Sequence, residues 1–591
     1  MWYIQAIENR MSEEDKRNLS KIYAPVVVGV QNDESRTGLC VMPDGEIRHY
    51  GEKEKNHPWD IGEPSYMAST DGGLTWKTYD HAEDQMGSCT YIPELGKYYA
   101  ISASYKIERD RIMGRPYTQG TFMKISEKGP EDTEYTVKQI SDKWCFCEFL
   151  PKYIKAKNRI AVSMQVVLDG NHHPVFFYSD DAGENWTEVI LNSAPKYEPI
   201  YPSVAPRWEN NGGEPVFTEL PDGRLLLIAR TSQDYFYAYY SDDYGTTWTD
   251  AEPSDFHGTL TTPFFLELSD GRYLFFWNNS QPLPETNHAN ELPRRKQGYV
   301  RSGEGSFTNR DVSHVAVSED GVHWKGLREL LLNEVRNRAD FRSVGGMRSS
   351  ADKSVHQFQA MELPFGKVLV AVGQNIASRR LVIFDPNWLL EQERSEDFLE
   401  GLKNVSTQVY VKSLSGSFVS KNHPGHCAWN RTNGALLVPN PDMDGKESLQ
   451  ICRTQDPRLV SDRQGVVWNF PCAQKGTVSF TMRIEGEGVK VALCDHWFNP
   501  IDEYTGEMSP FSFKITPDIL ERGCWCEAKI EFDVQAGMAY LFLDDRKVFG
   551  VRMKFMPKHG ISYLHLQTDA ESADYEGTLI KKMSMVGKDS E

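Results

Sequence analysis

The sequence predicts an all-β protein, and three observations support this class. Aromatic residues make up 12% of the 591 residues, and large flat rings pack well on pleated sheets. Short runs of alternating apolar and polar residues end in Gly-, Pro- and Asp-rich turn sequences. An eight-residue pattern, Ser-x-Asp-x-Gly-x-Thr-Trp in its fullest form, also recurs between residues 69 and 324. A repeated all-β architecture is therefore expected.

The recurring pattern marks the repeats. Its copies STDGGLTW, SDDAGENW, SDDYGTTW and the shorter SEDGVHW start at residues 69, 179, 241 and 318, which are 110, 62 and 77 residues apart. In each turn Asp can accept backbone N–H bonds, Gly supplies a positive φ and Trp packs underneath. A four-stranded propeller blade takes roughly 40–60 residues, so the widest gap should contain a blade without the pattern. Five blades then reach Trp324, and residues 340–390 give a sixth.

The segment 214–248 shows the unit most clearly. It predicts three antiparallel strands, at Pro215–Thr218, Leu225–Ala229 and Tyr235–Tyr240, before the turn at Ser241–Trp248. The first 24 residues instead predict a short strand and a helix that Ser12 caps.

The C-terminal part has β texture without the turn pattern. Segments such as VSFTMRI and CEAKIEFDV alternate like the strands of a β-sandwich. Apolar residues at nearly helical spacing between Phe384 and Asn404 predict a connecting helix. We therefore expect a six-bladed β-propeller with a short N-terminal extension (1–390), a linker helix (391–404) and a concanavalin- or laminin-G-like, lectin-like β-sandwich (405–591). The last unit binds sugar or, as we favour, supports the propeller.

Charge and composition narrow the possible partners. The net charge is −19 and no run of Lys and Arg is present, which argues against nucleic-acid and anionic-membrane partners. The first residues do not resemble a signal peptide, and no apolar run approaches the ~20 residues of a membrane span. The cysteines include two Cys-x-Cys pairs, which favour buried free thiols over zinc. We expect a cytoplasmic protein that requires no metal or other cofactor.

The repeated turns over residues 23–390 resemble the Asp-box turns of the sialidase (neuraminidase) superfamily, whose members are six-bladed propellers. The turns indicate fold, whereas activity depends on residues at the propeller axis. In sialidases three arginines bind a sugar carboxylate, an Asp acts as acid/base, and a Tyr activated by a Glu is the nucleophile. The resemblance implies a glycoside hydrolase that carries equivalents of these residues.

In the first blade, the resemblance assigns the first arginine to Arg36, followed by Glu52 and then by the acid/base Asp60 in the loop NHPWDIGEP. Arg36-Thr37-Gly38 stands where the family has Arg-Ile-Pro. The alternative is that this Arg and this Asp are ordinary solvated residues.

The middle blades provide the next matches. Glu214 opens a strand and Arg230 ends the following one, like the nucleophile-activating Glu and the second arginine of sialidases. A structural ion pair is the alternative. The third arginine corresponds to Arg310, eight residues before Ser318, with Arg301 as a second possibility.

The last blade departs from the family, because residues 352–370 contain no Tyr. His356, Gln357 and Gln359 are present instead. His356 could act as a base towards water or a ring proton, or be a hydrogen-bonded core residue. His172 and His173 precede a strand where loops enter the site, and they are further candidates for substrate contact.

These residues lead to three functional hypotheses. The first is an exo-acting glycoside hydrolase that releases a terminal sialic acid, 2-keto-3-deoxy sugar or uronic acid, with the arginines on its carboxylate. Asp60 would protonate the leaving oxygen and Glu214 would be the second carboxylate. The second is a His-dependent lyase or a rhamnosidase that acts next to a uronate. The third is a non-catalytic sugar-binding protein.

Overall fold

Strands account for most of the secondary structure, and the predicted all-β class is confirmed. A computed structural model describes residues 1–30, 38–52, 64–102, 108–109, 116–117, 120–146, 150–198, 210–281, 310–332, 355–373, 379–410 and 431–588.

Two helices, Trp2–Arg10 and Glu13–Lys21, open the chain. Ser12 caps the second one as expected: its hydroxyl accepts the N–H of Asp15 at 3.1 Å, and the Asp15 carboxylate accepts the N–H of Ser12 at 3.3 Å. The predicted strand at the start is wrong. Tyr3, Ile7 and Met11 recur every four residues and pack on one apolar cluster, which favours a helix.

Other helical segments are short. Among the described residues, the remaining α-helix is Thr505–Met508, and 3-10 turns occur at Lys155–Lys157, Pro364–Gly366 and Pro386–Leu390. Within the same ranges no helix is long and apolar enough to cross a bilayer.

Six antiparallel sheets of four or five strands lie between residues 26 and 384, and we number them in chain order. Sheet 6 combines the N-terminal strand Val26–Gly29 with three strands from the end of this region. Their strands are Leu39–Val41, Ile47–Glu52, Pro64–Ser69 and Lys77–Asp80 (sheet 1); Thr90–Ile92, Lys97–Ser102, Thr121–Ser126 and Thr136–Ser141 (sheet 2); Cys145–Phe146, Lys152–Ile154, Arg159–Leu168, Asn171–Ser179 and Thr187–Ile190 (sheet 3); Gly213–Glu219, Leu225–Arg230, Tyr235–Ser241 and Glu252–His257 (sheet 4); Phe264–Glu267, Tyr273–Trp277, Val312–Ser318 and Trp324–Leu332 (sheet 5); Val26–Gly29, Gln359–Leu363, Lys367–Val372 and Arg380–Phe384 (sheet 6).

The recurring turns join the last two strands of sheets 1, 3, 4 and 5. In sheet 4 the Asp243 carboxylate accepts the N–H of Thr247 at 2.8 Å, and the Trp248 indole donates to the carbonyl of Gly245 at 3.1 Å. Gly245 has φ +94°, and a Cβ there would lie 2.2 Å from the Phe176 ring. The turns thus have the structural role that the sequence predicted.

Sheet 2 fills the 110-residue gap between the first two copies of the pattern, where an additional four-stranded unit was predicted. Its last turn lacks the pattern but keeps part of its chemistry. The Ser126 hydroxyl donates to Asp132 at 2.5 Å, and the same carboxylate accepts the N–H of Glu134 at 2.9 Å.

Two larger sheets follow, and apolar side chains from both form one buried cluster. The strands of the two larger sheets, in spatial order, are Leu436–Pro439, Glu447–Arg453, Asp574–Gly587, Lys475–Ile484, Trp525–Asp533, Met538–Leu543 and Arg546–Arg552 (sheet 7); Val405–Ser406, Gly465–Ala473, Ile561–Thr568, Val489–Cys494 and Phe511–Ile515 (sheet 8). Sheet 7 also pairs with the strand Glu393–Glu396. Small two-stranded sheets join Glu108–Arg109 to Pro116–Tyr117 and Val409–Tyr410 to Arg431–Thr432.

The predicted connecting helix between Phe384 and Asn404 is wrong. After the short 3-10 turn, the chain forms the strand Glu393–Glu396 and then turns until sheet 8 begins. Trp388 packs with sheets 5 and 6, whereas Phe398 packs in the core of sheets 7 and 8. The nearly helical spacing arises because this segment supplies apolar residues to two separate cores.

Sheet 5 is in direct contact with the C-terminal sheets. The N–H of Gln281 donates to the carbonyl of Trp497, and the N–H of Trp497 donates to that of Asn279, both at 2.8 Å. Nearby, His314 approaches the Tyr563 hydroxyl at 2.5 Å. The two parts of the molecule are therefore joined through hydrogen bonds at this sheet.

Candidate functional site

Four predicted site residues occupy equivalent ends of neighbouring sheets. Glu214 lies at the start of the first strand of sheet 4, and Arg230 ends the second strand of that sheet. Arg310 precedes the third strand of sheet 5, and His356 precedes the strand Gln359–Leu363 of sheet 6. In an antiparallel sheet the start of the first strand, the end of the second and the start of the third lie at the same end of the sheet. The recurring turns follow the end of the third strand, which lies at the other end. The turns and the candidate residues thus occupy opposite ends of the sheets.

Glu214 and Arg230 form a buried ion pair, with Arg230 Nη1 2.6 Å from Glu214 Oε2. The Thr262 hydroxyl donates to the same carboxylate oxygen, and the Glu214 N–H donates to Oε1 of Gln165 at 2.7 Å. Glu214 has φ +42°, and the strand pairing is irregular at this point. A left-handed non-glycine residue is costly, so its surroundings hold this carboxylate in a fixed place.

The carbonyl of Leu260 connects Arg230 to Arg310. It accepts a hydrogen bond from Arg230 Nη1 at 3.3 Å and another from Arg310 Nη2. Leu260 has φ +51°, which turns its carbonyl towards both side chains. Two buried guanidinium groups are therefore held next to each other, although their like charges repel.

His356 extends this network, because Arg310 Nη1 lies 3.1 Å from its Nε2. Arginine can only donate, so Nε2 accepts and the ring is neutral with its proton on Nδ1. The backbone is also fixed: the carbonyl of His356 accepts the N–H of Gly373 at 2.7 Å, and Val355 N–H donates to the Arg310 carbonyl at 2.9 Å. In this arrangement His356 orients Arg310.

The two glutamines near His356 differ in their surroundings. Gln357 is half-buried with φ +64°, at the bend before the first strand of this part of sheet 6. Gln359 is buried, and its Oε1 accepts the N–H of Gly38 at 2.6 Å and of Leu39 at 2.9 Å. Gln359 thus links sheet 6 to the beginning of sheet 1.

His172 and His173 lie in the second hairpin of sheet 3, next to the segment that leads into Glu214. The carbonyl of His172 accepts the Ser193 hydroxyl at 2.8 Å and lies 3.1 Å from where a Cβ on Gly212 would be. His173 Nδ1 is 3.1 Å from the carbonyl of Leu191, which is a contact within the same region of sheet 3. Substrate contact by either ring stays a prediction.

The first-blade candidates are not tested by the structure. Arg36 and Asp60 lie outside the described residues, and so does Arg301, the alternative to Arg310. Glu52 is the last residue of the strand Ile47–Glu52, and its side chain is not among the described ones.

Sequence reasoning missed three parts of the network: Gln165, the carbonyl of Leu260, and Thr262. A backbone carbonyl leaves no signal in the residue type. The polar run Thr259-Leu260-Thr261-Thr262 between two β sheets was a usable signal, because all four residues are buried. Buried polar residues in a connection between strands require partners.

A second polar cluster, His257, Asp495 and His496, lies where sheet 4 meets the C-terminal part. Its nitrogen and oxygen atoms lie within 4.8 Å of one another, as in some metal sites. However, the two imidazoles are stacked with centroids 4.0 Å apart and an interplanar angle of 19°. A metal lies in the plane of each imidazole that binds it, which two stacked rings cannot both satisfy. The cluster therefore fits a hydrogen-bonded contact, with Asp495 2.6 Å from His496 Nδ1.

Comparisons with known proteins agree with the repeated turns. Residues 148–342 match the family model of the BNR repeat-like domain. An anhydrosialidase from Macrobdella decora is 29% identical over 158 residues, which are 25% of this chain and 17% of that protein. These matches support a relationship to the sialidase (BNR/Asp-box) superfamily. The match spans only about a sixth of the length of this relative.

Solved structures that resemble this chain are distant in sequence. A mutant of Trypanosoma rangeli sialidase displaying trans-sialidase activity has 11% identity and a TM-score of 0.36, over 97% of this chain and 96% of that one. A protein of unknown function from Dyadobacter fermentans has 16% identity and a TM-score of 0.39, over 61% and 97%.

Proposed function

We propose that this protein is an exo-acting glycoside hydrolase that releases a terminal acidic sugar. The observation that supports it most is the shared Leu260 carbonyl, which holds the guanidinium groups of Arg230 and Arg310 together. A guanidinium binds a carboxylate through two parallel N–H bonds, and a buried pair attracts an anion strongly. The BNR repeat-like match and the name of the anhydrosialidase relative make sialic acid the first sugar to test.

The proposed roles follow the sialidase pattern. Two carboxyl groups serve glycoside hydrolysis: Asp60 protonates the leaving oxygen, and Glu214 stabilises or attacks the positive centre that forms. Arg36, Arg230 and Arg310 bind the sugar carboxylate. The remaining candidates for substrate contact are Glu52, Gln357, His172 and His173.

The hydrogen bond at Nε2 of His356 favours a hydrolase over the His-dependent lyase. Nε2 accepts a hydrogen bond from Arg310, so it is already engaged and is a poor base for abstracting a ring proton. We therefore propose that His356 positions Arg310. A lyase would instead require the ring to leave this partner during each turnover.

We also propose a geometry for the whole chain. Sheets 1 to 6 are blades of a propeller that the pairing of Val26–Gly29 with Arg380–Phe384 closes. Sheets 7 and 8 form the lectin-like β-sandwich, and the strand Glu393–Glu396 belongs to it because it pairs with sheet 7. Closure would bring Glu214, Arg230, Arg310 and His356 to one axial pocket, which suits removal of a terminal residue.

Turnover of a substrate panel tests this proposal. The purified protein is incubated with aryl glycosides of sialic acid and of its 2-keto-3-deoxy analogue, and with saturated uronosyl disaccharides. We expect release of the free acidic sugar without the ultraviolet absorbance of an unsaturated product. An unsaturated uronate would identify the lyase, whereas binding without turnover of any of these compounds would identify a sugar-binding protein and overturn the proposal.

A further inference from the structure

Two adjacent asparagines next to the Glu214–Arg230 pair have buried amides without a hydrogen-bond partner. Asn210 and Asn211 are 0% and 1% exposed. Within the described part of the chain, neither the oxygen nor the nitrogen of either amide has a partner. Buried amides are nearly always hydrogen-bonded, because losing water without a replacement is unfavourable. Four such atoms on two adjacent residues therefore indicate that another molecule completes their bonding.

The backbone of this pair is firmly held. The N–H of Asn210 donates to the Ser232 hydroxyl at 2.7 Å, and the N–H of Ser232 donates to the Asn210 carbonyl at 2.7 Å. The carbonyl of Asn211 accepts the N–H of Ala194 at 2.6 Å. Because both backbones are fixed, the two amides are presented in a preorganised position, as a binding site requires.

Gly213 lets the Asn210 amide lie directly against the backbone. A Cβ on Gly213 would lie 2.4 Å from Oδ1 and 2.6 Å from Nδ2 of Asn210, and 2.7 Å from Oε1 of Gln165. Its φ lies outside the left-handed region, so the need for a glycine is one of space. Gln165 Oε1 is also the acceptor of the Glu214 N–H. The Asn210 amide thus lies beside the backbone that leads into Glu214, the partner of Arg230.

We propose that Asn210 and Asn211 form a neutral polar subsite that holds a hydroxyl pair or an acylamino group of the sugar beside the arginines. This inference rests on the proposed function. A carboxamide offers a donating NH2 group and an accepting oxygen without charge, so it complements a neutral group that can both donate and accept. A charged substituent would instead need a counterion to offset the loss of water on burial.

Calorimetric titration tests the subsite with four ligands: N-acetylneuraminic acid, its 2-keto-3-deoxy analogue without the acylamino group, glucuronic acid, and tetrahydropyran-2-carboxylic acid, which has no ring hydroxyls. Asn210→Leu and Asn211→Leu keep the approximate side-chain size but remove the amide. We expect each to weaken the hydroxylated acids at least tenfold and to leave the last ligand within twofold. Gly213→Ala, whose methyl group would displace the Asn210 amide, should act similarly.

The ligands separate the two kinds of group, because a loss confined to N-acetylneuraminic acid identifies the acylamino group and an equal loss for all sugar acids identifies hydroxyls. Asn210→Leu should also raise the melting temperature of the ligand-free protein. Unchanged sugar affinities in folded Asn210→Leu and Asn211→Leu overturn the subsite but not the proposed function. If the wild type binds none of the four acids, the proposed function and the subsite are both overturned.

Discussion

At the scale of single residues, the candidate site combines two arginines, one carboxylate and one backbone carbonyl. The sequence could identify the arginines and the carboxylate but not the carbonyl. Glu214 and Arg230 stand at the start and end of adjacent strands, so strand pairing alone brings them together. Their link to Arg310 depends on Leu260, whose left-handed backbone turns its carbonyl inwards. No property of the leucine side chain predicts this.

Glu214→Gln tests the catalytic role of this carboxylate. The amide keeps the shape but removes the charge, so we expect kcat to fall about 100-fold or more, with a much smaller change in KM. Glu362→Gln is the matched control, because Glu362 is also a buried carboxylate but bonds Ser269 in the scaffold, at 2.6 and 2.7 Å. Equal kcat in the two folded variants would remove Glu214 from the mechanism.

At the scale of elements, repeated local sequence was a reliable guide. The turn pattern correctly predicted the hairpins, because Asp, Gly and Trp each make a bond within the turn itself. The connecting helix was predicted wrongly because apolar spacing does not show which core each residue enters. Trp388 and Phe398 enter different cores, and the Glu396 carboxylate accepts the N–H of Phe398 at 2.7 Å where the chain turns.

Gly245→Ala measures what one such turn contributes. Gly245 combines φ +94° with a Cβ position 2.2 Å from the Phe176 ring, whereas Gly271 has φ +89° and nothing within 4 Å of its Cβ position. Strain in the left-handed region costs about 1 kcal/mol, and a clash in a packed core adds about 1–3 kcal/mol. Urea unfolding should therefore show a clearly larger loss for Gly245→Ala than for Gly271→Ala. Equal losses would mean that the ring moves aside without cost.

At the scale of the whole molecule, a hydrogen-bonded chain joins sheet 5 to sheet 8. The N–H of Asn279 donates to Nδ1 of His314 at 2.9 Å, so Nε2 carries the ring proton and donates to the Tyr563 hydroxyl. That hydroxyl donates to Glu329 at 3.0 Å. The two contacts of Tyr563 join residues more than 200 positions apart, which is why no local pattern could predict them.

Through His314, this series of hydrogen bonds makes the stability of the folded protein sensitive to acid. Burial, together with His496, lowers the pKa of His314 to about 3, from 6.5 in the unfolded chain. The folded form keeps a neutral ring, so its stabilisation is complete above pH 6.5 and is lost as pH falls towards 3. The loss from this residue reaches about 2 kcal/mol at pH 5.

Melting temperatures of the wild type and His314→Gln at pH 7.5 and 5.0 measure this effect. The amide of Gln does not titrate in this range, so we expect the variant to lose less stability than the wild type on acidification. Some loss should persist, since burial also lowers the pKa of His49 to about 3 and that of His565 to about 4. The same pH-dependence in both proteins would show that His314 does not carry the effect.

The paired guanidinium groups are the central feature, and Arg310→Lys tests them most directly. Lysine keeps the charge but cannot donate to the Leu260 carbonyl and His356 while binding a carboxylate through two parallel bonds. The control is Arg159→Lys, which changes a buried arginine that bonds Asp180 at 2.6 and 2.7 Å at the opposite end of its sheet. We expect kcat/KM for the sialic acid aryl glycoside to fall at least 100-fold in folded Arg310→Lys and less than threefold in Arg159→Lys. An Arg310→Lys enzyme as active as the Arg159→Lys enzyme would contradict carboxylate recognition by this pair.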